Sequence, residues 1–168
     1  MPFTFNQVNQ IEVTSASRYR IFFPQIPGVD SEQLALCLSN VSPPSKTIGH
    51  IQVKLFGDSF GFRGGRETSN QFTATFYETV YGKSIKSINA WMALVRKKDN
   101  SGELKSGYAF NCELAVYNTV GDAFHTITLK NVFPLTYEYP TLEDAGSTPF
   151  QFQVTFNQDS SDIRYAYV

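Results

Sequence analysis

The sequence is poor in charge. Only 17% of its 168 residues are Asp, Glu, Lys or Arg, against about 25% in ordinary globular proteins. The 14 basic and 15 acidic residues leave a net charge of −1, so no basic excess is available to neutralise phosphates, and we do not expect tight binding to nucleic acid. Low charge with 15% aromatic residues favours a surface that partners largely cover. An ordinary β domain with a Ser/Thr/Asn/Gln-rich exterior is the alternative.

Cysteine and long apolar runs are also scarce. Cys37 and Cys112 lie far apart in no paired motif, which is typical of buried thiols in a reducing compartment. No stretch approaches the roughly 20 apolar residues that a membrane-spanning helix needs. The segment "MPFTFNQVNQ" lacks a basic region followed by an apolar run, so we expect no signal peptide and assembly in the cytosol.

Patterns that indicate catalysis or metal binding are missing. His50 and His125 are isolated, and His125 lies on the apolar side of its segment, which predicts a core or interface histidine. There is no HExxH, CxxC or GxSxG pattern. Asp159 and Asp162 form the one acidic cluster that could bind calcium, and a solvated tail explains them. We therefore expect no enzyme activity, cofactor, metal site or small-molecule substrate.

The sequence does contain segments in which apolar and polar residues alternate. In "TPFQFQVTFNQDSS" (148–161) Phe and Val alternate with Gln, Thr and Asn, so one side of the predicted strand is apolar and the other is polar without charge. We expect the apolar side to face the core. The uncharged side is predicted either to be covered by another sheet or to lie near a water-filled passage, and the sequence leaves both open. The candidate residues for such a polar strand face are Gln71, Thr73, Thr75, Glu113, Gln151 and Gln153.

The order of patterns predicts a mainly β fold. "QFTATFYE" alternates strictly, and "QLALCLSN" places Leu34, Leu36 and Leu38 on one side of a strand. Ile85, Ile88 and Trp91 follow helical spacing. We predict a single domain over 1–168, an antiparallel β-sandwich or barrel of about seven to eight strands with one flanking amphipathic α-helix at about 84–97. Residues 1–17 are a possible N-terminal arm.

One run of segments resembles a known family. "LKNVFPLTYEYPTLEDAGSTPFQFQVTFNQD" (129–159) follows a glycine/arginine stretch ("FRGGRE"), an alternating strand and a helix with a Trp. This order is similar to the C-terminal half of the tail tube proteins of contractile-tailed (myovirus) bacteriophages, over roughly 34–159. The positions that carry the resemblance are Ile127, Leu129, Lys130, Asn131, Phe133, Pro134, Phe152, Val154, Thr155, Phe156 and Asp159. Residues 1–17 and the final "SSDIRYAYV" lie outside it.

The resemblance implies a structural virion protein. Six copies would form a ring, and stacked rings would form the inner tube of a contractile tail, through which DNA passes without specific binding during genome ejection. The tail sheath and the baseplate would be its partners, and assembly would occur in the host cytoplasm. Tubes of type VI secretion systems are similar in fold. The alternatives are a tube-fold initiator or cap protein at the baseplate, and a β-sandwich module that binds a carbohydrate or receptor.

Two segments are candidates for contacts between subunits or between stacked rings. The glycine-rich segment 56–67 is predicted to be a bulged strand or a projecting hairpin or loop, and a paired-proline connector precedes it. The candidate contact residues are Pro43, Pro44, Phe60, Phe62, Arg63 and Arg66.

Overall fold

The structure is a computed structural model, and it describes residues 18–97, 101–118, 120–141 and 148–165. These residues form nine β-strands and three helices. In chain order they are β1 (Tyr19–Phe22), α1 (Ser31–Leu36), β2 (Leu38–Ser42), β3 (Lys46–Leu55), β4 (Asp58–Thr68), β5 (Gln71–Tyr77), α2 (Lys83–Val95), α3 (Lys105–Tyr108), β6 (Phe110–Tyr117), β7 (Ala123–Glu138), β8 (Gln151–Asn157) and β9 (Ser160–Tyr165). The predicted fold class, mainly β and antiparallel, is confirmed, with two more short helices than expected. The predicted N-terminal arm, 1–17, lies outside the described residues.

Seven strands form one open antiparallel sheet. Its order is β1-β6-β7-β8-β5-β2, and β9 also pairs with β7. The long strand β7 belongs to both halves of this sheet. Its residues 123–132 pair with β6 and β9, and its residues 133–138 pair with β8. We call β1, β6, residues 123–132 and β9 half A, and we call β2, β5, β8 and residues 133–138 half B.

The sheet bends where half A meets half B. Strands β8 and β9 follow one another along β7, separated by Gln158 and Asp159. Near this break Asn131 has a φ of +54, in the left-handed region that few non-glycine residues adopt. The Asp159 carboxylate accepts hydrogen bonds from Lys105 Nζ at 2.6 and 2.7 Å and from Asn131 Nδ2 at 2.7 Å. The Asn131 N–H is satisfied by Asn111 Oδ1 at 3.0 Å, so the break in the ladder leaves these groups paired.

Both halves turn an apolar side toward one core. Half A contributes Ile21, Cys112, Leu114, Ile127, Leu129 and Val132. Half B contributes Phe72, Ala74, Phe76, Phe152, Val154 and Phe156. The apolar side of the alternating segment 148–161 therefore faces the core, as the sequence predicts.

Helix α2 closes this core. Ile88 and Trp91 are fully buried, and Trp91 Nε1 donates to the Tyr108 carbonyl at 2.8 Å. The predicted helix is confirmed, but it ends at Val95 rather than near residue 97. It ends there because Arg96 has an extended backbone, with φ of −153.

The strand predicted across "QLALCLSN" is wrong in its first part, which forms α1. The Asp30 side chain caps this helix by accepting from the Gln33 N–H at 3.1 Å. Leu34 is buried and Leu36 is 68% exposed, because two residues along a helix separate side chains by roughly 200°. The strand begins only at Leu38.

The solvated tail predicted after β8 is also wrong. Strand β9 pairs with β7 over six residue pairs, Ser161 is buried, and Ile163 packs against the core. Asp162 forms an ion pair with Lys130 at 2.5 Å. The two aspartates that the sequence assigned to a tail therefore belong to the bend and to an ordered strand.

Candidate assembly surfaces

A long β-hairpin projects from the seven-stranded sheet. Within the described chain, β3 and β4 pair only with one another and touch other elements sparsely. The facing pairs Ile51–Phe62 and Val53–Phe60 share one side. The opposite side carries His50, Gln52, Lys54, Ser59 and Arg63. The hairpin is thus amphipathic, and its polar side is cationic.

The apolar side of the hairpin is open to solvent. Ile51, Phe60 and Phe62 are 56%, 47% and 54% exposed. A two-stranded hairpin is at best marginally stable in water unless a further layer packs on it. Because the described residues of this chain supply no such layer, this side is the strongest candidate for a contact with another molecule.

The tip and the base of the hairpin have defined backbone geometry. Phe56 and Gly57 have φ values of +53 and +90, as in the two-residue turn that matches strand twist. Phe56 is fully exposed at this tip, although the left-handed region costs a non-glycine residue about 1 kcal/mol. At the base, a Cβ on Gly64 would lie 2.7 Å from the Gly49 carbonyl carbon. The backbones therefore approach so closely that Gly64 has to be glycine.

The structure brings most of the predicted contact residues into this region. Phe60 and Phe62 lie on the apolar side of the hairpin and Arg63 lies on the polar side. Arg66 lies in β4, where its side chain is outside the described part of the structure. Pro43 and Pro44 lie between β2 and β3. Segment 56–67, interpreted as a hairpin or loop, corresponds to the turn and β4, and the hairpin starts earlier, at Lys46.

The outward side of half B is polar and almost free of charge. Pairing register aligns its side chains in rows across four strands. One row is Ser42, Thr73, Thr155 and Thr136, and the next is Asn40, Thr75, Gln153 and Glu138. Gln71 faces Asn157, and Tyr77 faces Gln151. Among the described residues on this side, Glu138 is the one with a charge, and it is exposed together with Gln71 and Gln153.

The outward side of half A is different. It carries the charged residues Arg20, Glu113, Lys130, Asp162 and Arg164. The Lys130 ammonium bonds to Asp162 and holds the pKa of that carboxyl below its usual range. Five of the six residues that the sequence grouped as a polar strand face lie on half B. Glu113 lies on half A, opposite Phe22 and Thr128.

A preorganised loop that the sequence analysis did not single out joins β5 to α2. Its residues 79–82 include Val80 and Tyr81, which are 99% and 84% exposed. The Glu78 carboxylate accepts hydrogen bonds from the N–H groups of Thr79 at 2.6 Å, Ser84 at 3.1 Å and Ile85 at 2.7 Å. Gly82 is the N-cap residue of α2, has a φ of +65 and makes no capping hydrogen bond through a side chain. The Glu78 carboxylate therefore takes the place of this cap. An acidic residue shortly before a helix start is the signal that the sequence offered, because the positive end of the helix dipole favours a carboxylate there.

The described residues contain no group of three or more metal-ligating side chains, and none of their helices is long and apolar enough to cross a membrane. His125 is half-buried and packs its ring against Tyr165 at 5.0 Å. Burial raises the pKa of the Cys112 thiol to about 12, which keeps it protonated and unreactive at neutral pH.

Solved structures with a similar fold come from contractile injection systems. A chain of the PVC extracellular contractile injection system, from its sheath–tube complex in the extended state, matches with a TM-score of 0.65 at 14% identity, over 98% of this chain and 100% of that one. A chain of the anti-feeding prophage tube-terminating cap matches with a TM-score of 0.65 at 15% identity, over 97% and 100%. The chain has a tail-tube fold.

A protein of a secretion system has a similar fold. A type six secretion system protein matches with a TM-score of 0.51 at 13% identity, over 88% of this chain and 82% of that one. A search of protein-family models gave no match, and neither did a search of curated proteins. The predicted resemblance to tail tube proteins is therefore confirmed for the fold, which spans nearly the whole chain.

Proposed function

We propose that this protein is the structural subunit of the inner tube of a contractile phage tail or a phage-tail-like particle. Six copies form a ring, rings stack into a tube, and the tube is the conduit for DNA during genome delivery. The protein has no catalytic activity. The observation that carries this proposal is the hairpin, whose exposed apolar side comprises Ile51, Phe60 and Phe62.

The hairpin favours an assembly that grows in one direction. In the proposed tube, the apolar side of one copy's hairpin is covered by a different surface of another copy, so the contact between the two copies is heterologous. Heterologous contacts either close into rings or continue as open stacks. A tube needs both kinds, the closing kind within a ring and the open kind between rings.

The outward side of half B is the best candidate for the tube lumen. A dry protein contact has an apolar core, whereas the rows around Thr73, Thr155 and Gln153 present hydroxyls and amides. Such groups remain hydrated at little cost and, lacking cations, do not hold a passing polyanion. The charged outward side of half A then faces away from the lumen, toward the sheath.

The decisive experiment is electron microscopy and sedimentation velocity of the purified protein over a concentration series. We expect rings of uniform diameter that stack into tubes as the concentration rises. Rings that never stack support the cap function, which the likeness to a tube-terminating cap favours. A strictly monomeric protein, both alone and when added to preformed baseplates, would refute the tube function. Glycan binding by such a monomer would favour a β-sandwich binding module.

A further inference from the structure

We propose that Asp159 is a positioning residue that fixes the angle between half A and half B, and through this angle the number of subunits in a ring. The proposal rests on the tube function above, because it concerns the subunit shape that closes a ring.

Two segments of the chain pass from one half of the sheet to the other at the same level. Lys130 is the last residue of β7 that pairs with β9, and Phe133 is the first that pairs with β8. Beside them the chain passes from β8 to β9 through Gln158 and Asp159. Because each of these two crossovers is only two residues long, the angle between the halves depends on how those few residues are held.

The Asp159 carboxylate joins its own crossover to the β7 crossover and to a helix. It accepts from Asn131 Nδ2 in β7 at 2.7 Å and from Lys105 Nζ in α3 at 2.6 and 2.7 Å. The hydrogen bonds from Lys105 and Asn131 hold the pKa of the Asp159 carboxyl below its usual range, so the group is ionised at neutral pH. Hydrogen bonds to an ionised group are shorter and stronger than those between neutral groups.

The lysine that binds Asp159 is itself anchored to the core. Helix α3 ends at Tyr108, whose carbonyl accepts from Trp91 Nε1 at 2.8 Å and whose ring packs edge-on against Phe133 at 5.2 Å. Lys105 therefore presents its ammonium from a short helix that contacts both α2 and half B. Through this lysine Asp159, which directly precedes β9 of half A, is held relative to half B.

Gln158 anchors the other end of the same crossover. Its side chain is buried, its N–H donates to the Asn70 carbonyl at 2.8 Å, and its Nε2 donates to the Ser69 carbonyl at 3.1 Å. Both acceptors lie between β4 and β5. Because Gln158 is held in this way, the direction in which β9 leaves the crossover depends on Asp159.

The angle between the halves matters because a closed ring needs wedge-shaped subunits. In the proposed tube half B lines the lumen and half A faces outward, so half A spans a wider circumference than half B. Each subunit turns the ring by about 60° when six copies close it and by about 51° when seven do. A change of about 9° in the wedge is therefore enough to change the size of the ring.

The same ion pair contributes little to the stability of the subunit. The side chains of Lys105 and Asp159 are 50% and 40% exposed, and ion pairs with such access to water stabilise a fold only weakly. Loss of the pair should therefore alter the direction of β9 more than the free energy of unfolding, and ring size and stability can be measured separately.

The test compares Asp159→Asn with Asp162→Asn in the full chain. Asp162 is the matched control, because it also forms an ion pair with a lysine, Lys130, but lies within β9 and outside the crossover. Native mass spectrometry counts the subunits of a ring in steps of 18.9 kDa, and electron microscopy measures its diameter. We expect wild type and Asp162→Asn to form rings of six, and Asp159→Asn to form a mixture that includes rings of seven, with a nearly unchanged melting temperature.

Three further variants separate a positioning role from a merely structural one. Asn131→Gly removes the side chain that donates to Asp159, while glycine adopts the φ of +54 without strain. Lys105→Met removes the ammonium, whereas Lys105→Arg keeps a cation that can bind the carboxylate. We expect Asn131→Gly and Lys105→Met to broaden the distribution of ring sizes and Lys105→Arg to keep rings of six.

The outcomes separate the two proposals. Wild-type rings of six together with the same ring size in Asp159→Asn and Asn131→Gly overturn the positioning role and leave the tube function intact. A lowered melting temperature with rings still of six also overturns it, because that result indicates a structural role alone. If Asp159→Asn does not fold, Asn131→Gly and Lys105→Met decide in its place. A wild-type protein that forms neither rings nor tubes overturns both proposals.

Discussion

Replacing Phe60 and Phe62 by serine should abolish stacking without unfolding the subunit. Phe60 and Phe62 are 47% and 54% exposed as whole residues. A fully covered Phe buries roughly 200 Å², so a partner that covers both buries about 200 Å² of apolar surface. At about 25 cal/mol per Å² this burial stabilises each contact by about 5 kcal/mol. Because every 1.4 kcal/mol is about tenfold in affinity, we expect the dissociation constant of the contact to rise by about 10³- to 10⁴-fold.

The subunit itself should be nearly unaffected, because neither ring belongs to the core. We expect the free energy of unfolding of the monomer to change by less than about 1 kcal/mol, measured by circular dichroism below the assembly concentration. Gln52→Ser is the matched control, since Gln52 lies on the polar side of the same hairpin, and it should assemble normally. Hydrogen exchange of the hairpin amides establishes whether the variant hairpin remains paired. Unchanged stacking of the double variant, or a monomer destabilised by several kcal/mol, would refute the reasoning.

Three further predictions concern single residues. Glu78→Ala removes the acceptor of three N–H groups at the start of α2 and should lower the unfolding free energy by about 2 kcal/mol, which thermal melting detects as a fall of roughly 4–8 °C. Gly64→Ala should distort the hairpin base and abolish assembly in microscopy, whereas Gly61→Ala, with nothing within 4 Å of the added Cβ, should not. The Cys112 thiol, with its pKa raised from 9.0 to about 12 by burial, should resist alkylation at pH 8 until unfolding. Because burial raises this pKa, the folded protein keeps the thiol protonated at pH values at which the unfolded chain ionises it. The contribution of Cys112 to the free energy of unfolding is therefore fully present below about pH 9 and is lost between about pH 9 and 12, which urea titrations at these pH values measure.

Periodicity predicted the elements whose side chains repeat over several residues. The strand around Phe152, Val154 and Phe156 and the helix around Ile88 and Trp91 could be recognised because one side of each is fully buried. The same method failed for α1, since Leu34, Leu36 and Leu38 lie at alternate positions, as in a strand, and the six residues of α1 are too few to show a helical period. The deciding information there is the Asp30 cap, which is local side-chain chemistry rather than hydrophobic pattern.

The candidate surfaces were only partly predictable for a related reason. The sequence grouped Glu113 with the polar residues of β5 and β8 because all occupy the outward positions of alternating strands. Only the bend near Asn131 separates them, since it carries β7 from half A to half B and so divides the outward residues between two surfaces. A bend held by Asp159 and Lys105, which are far apart in the chain, leaves no periodic trace in the sequence.

The division of charge between the two halves follows from one requirement of the proposed tube. A wall that faces moving cargo has to stay hydrated without holding it, which excludes both apolar surfaces and dense charge, whereas the side that faces other proteins can use charge for specificity. Half B meets the first condition with Thr73, Thr155 and Gln153, and half A meets the second with its charged rows. Within the described part of the seven-stranded sheet, charge is therefore concentrated on the outward side of half A. A substitution that adds lysine at Thr155 should slow the passage of DNA through assembled tubes without altering stacking, whereas lysine at Thr128 on half A should leave passage unchanged.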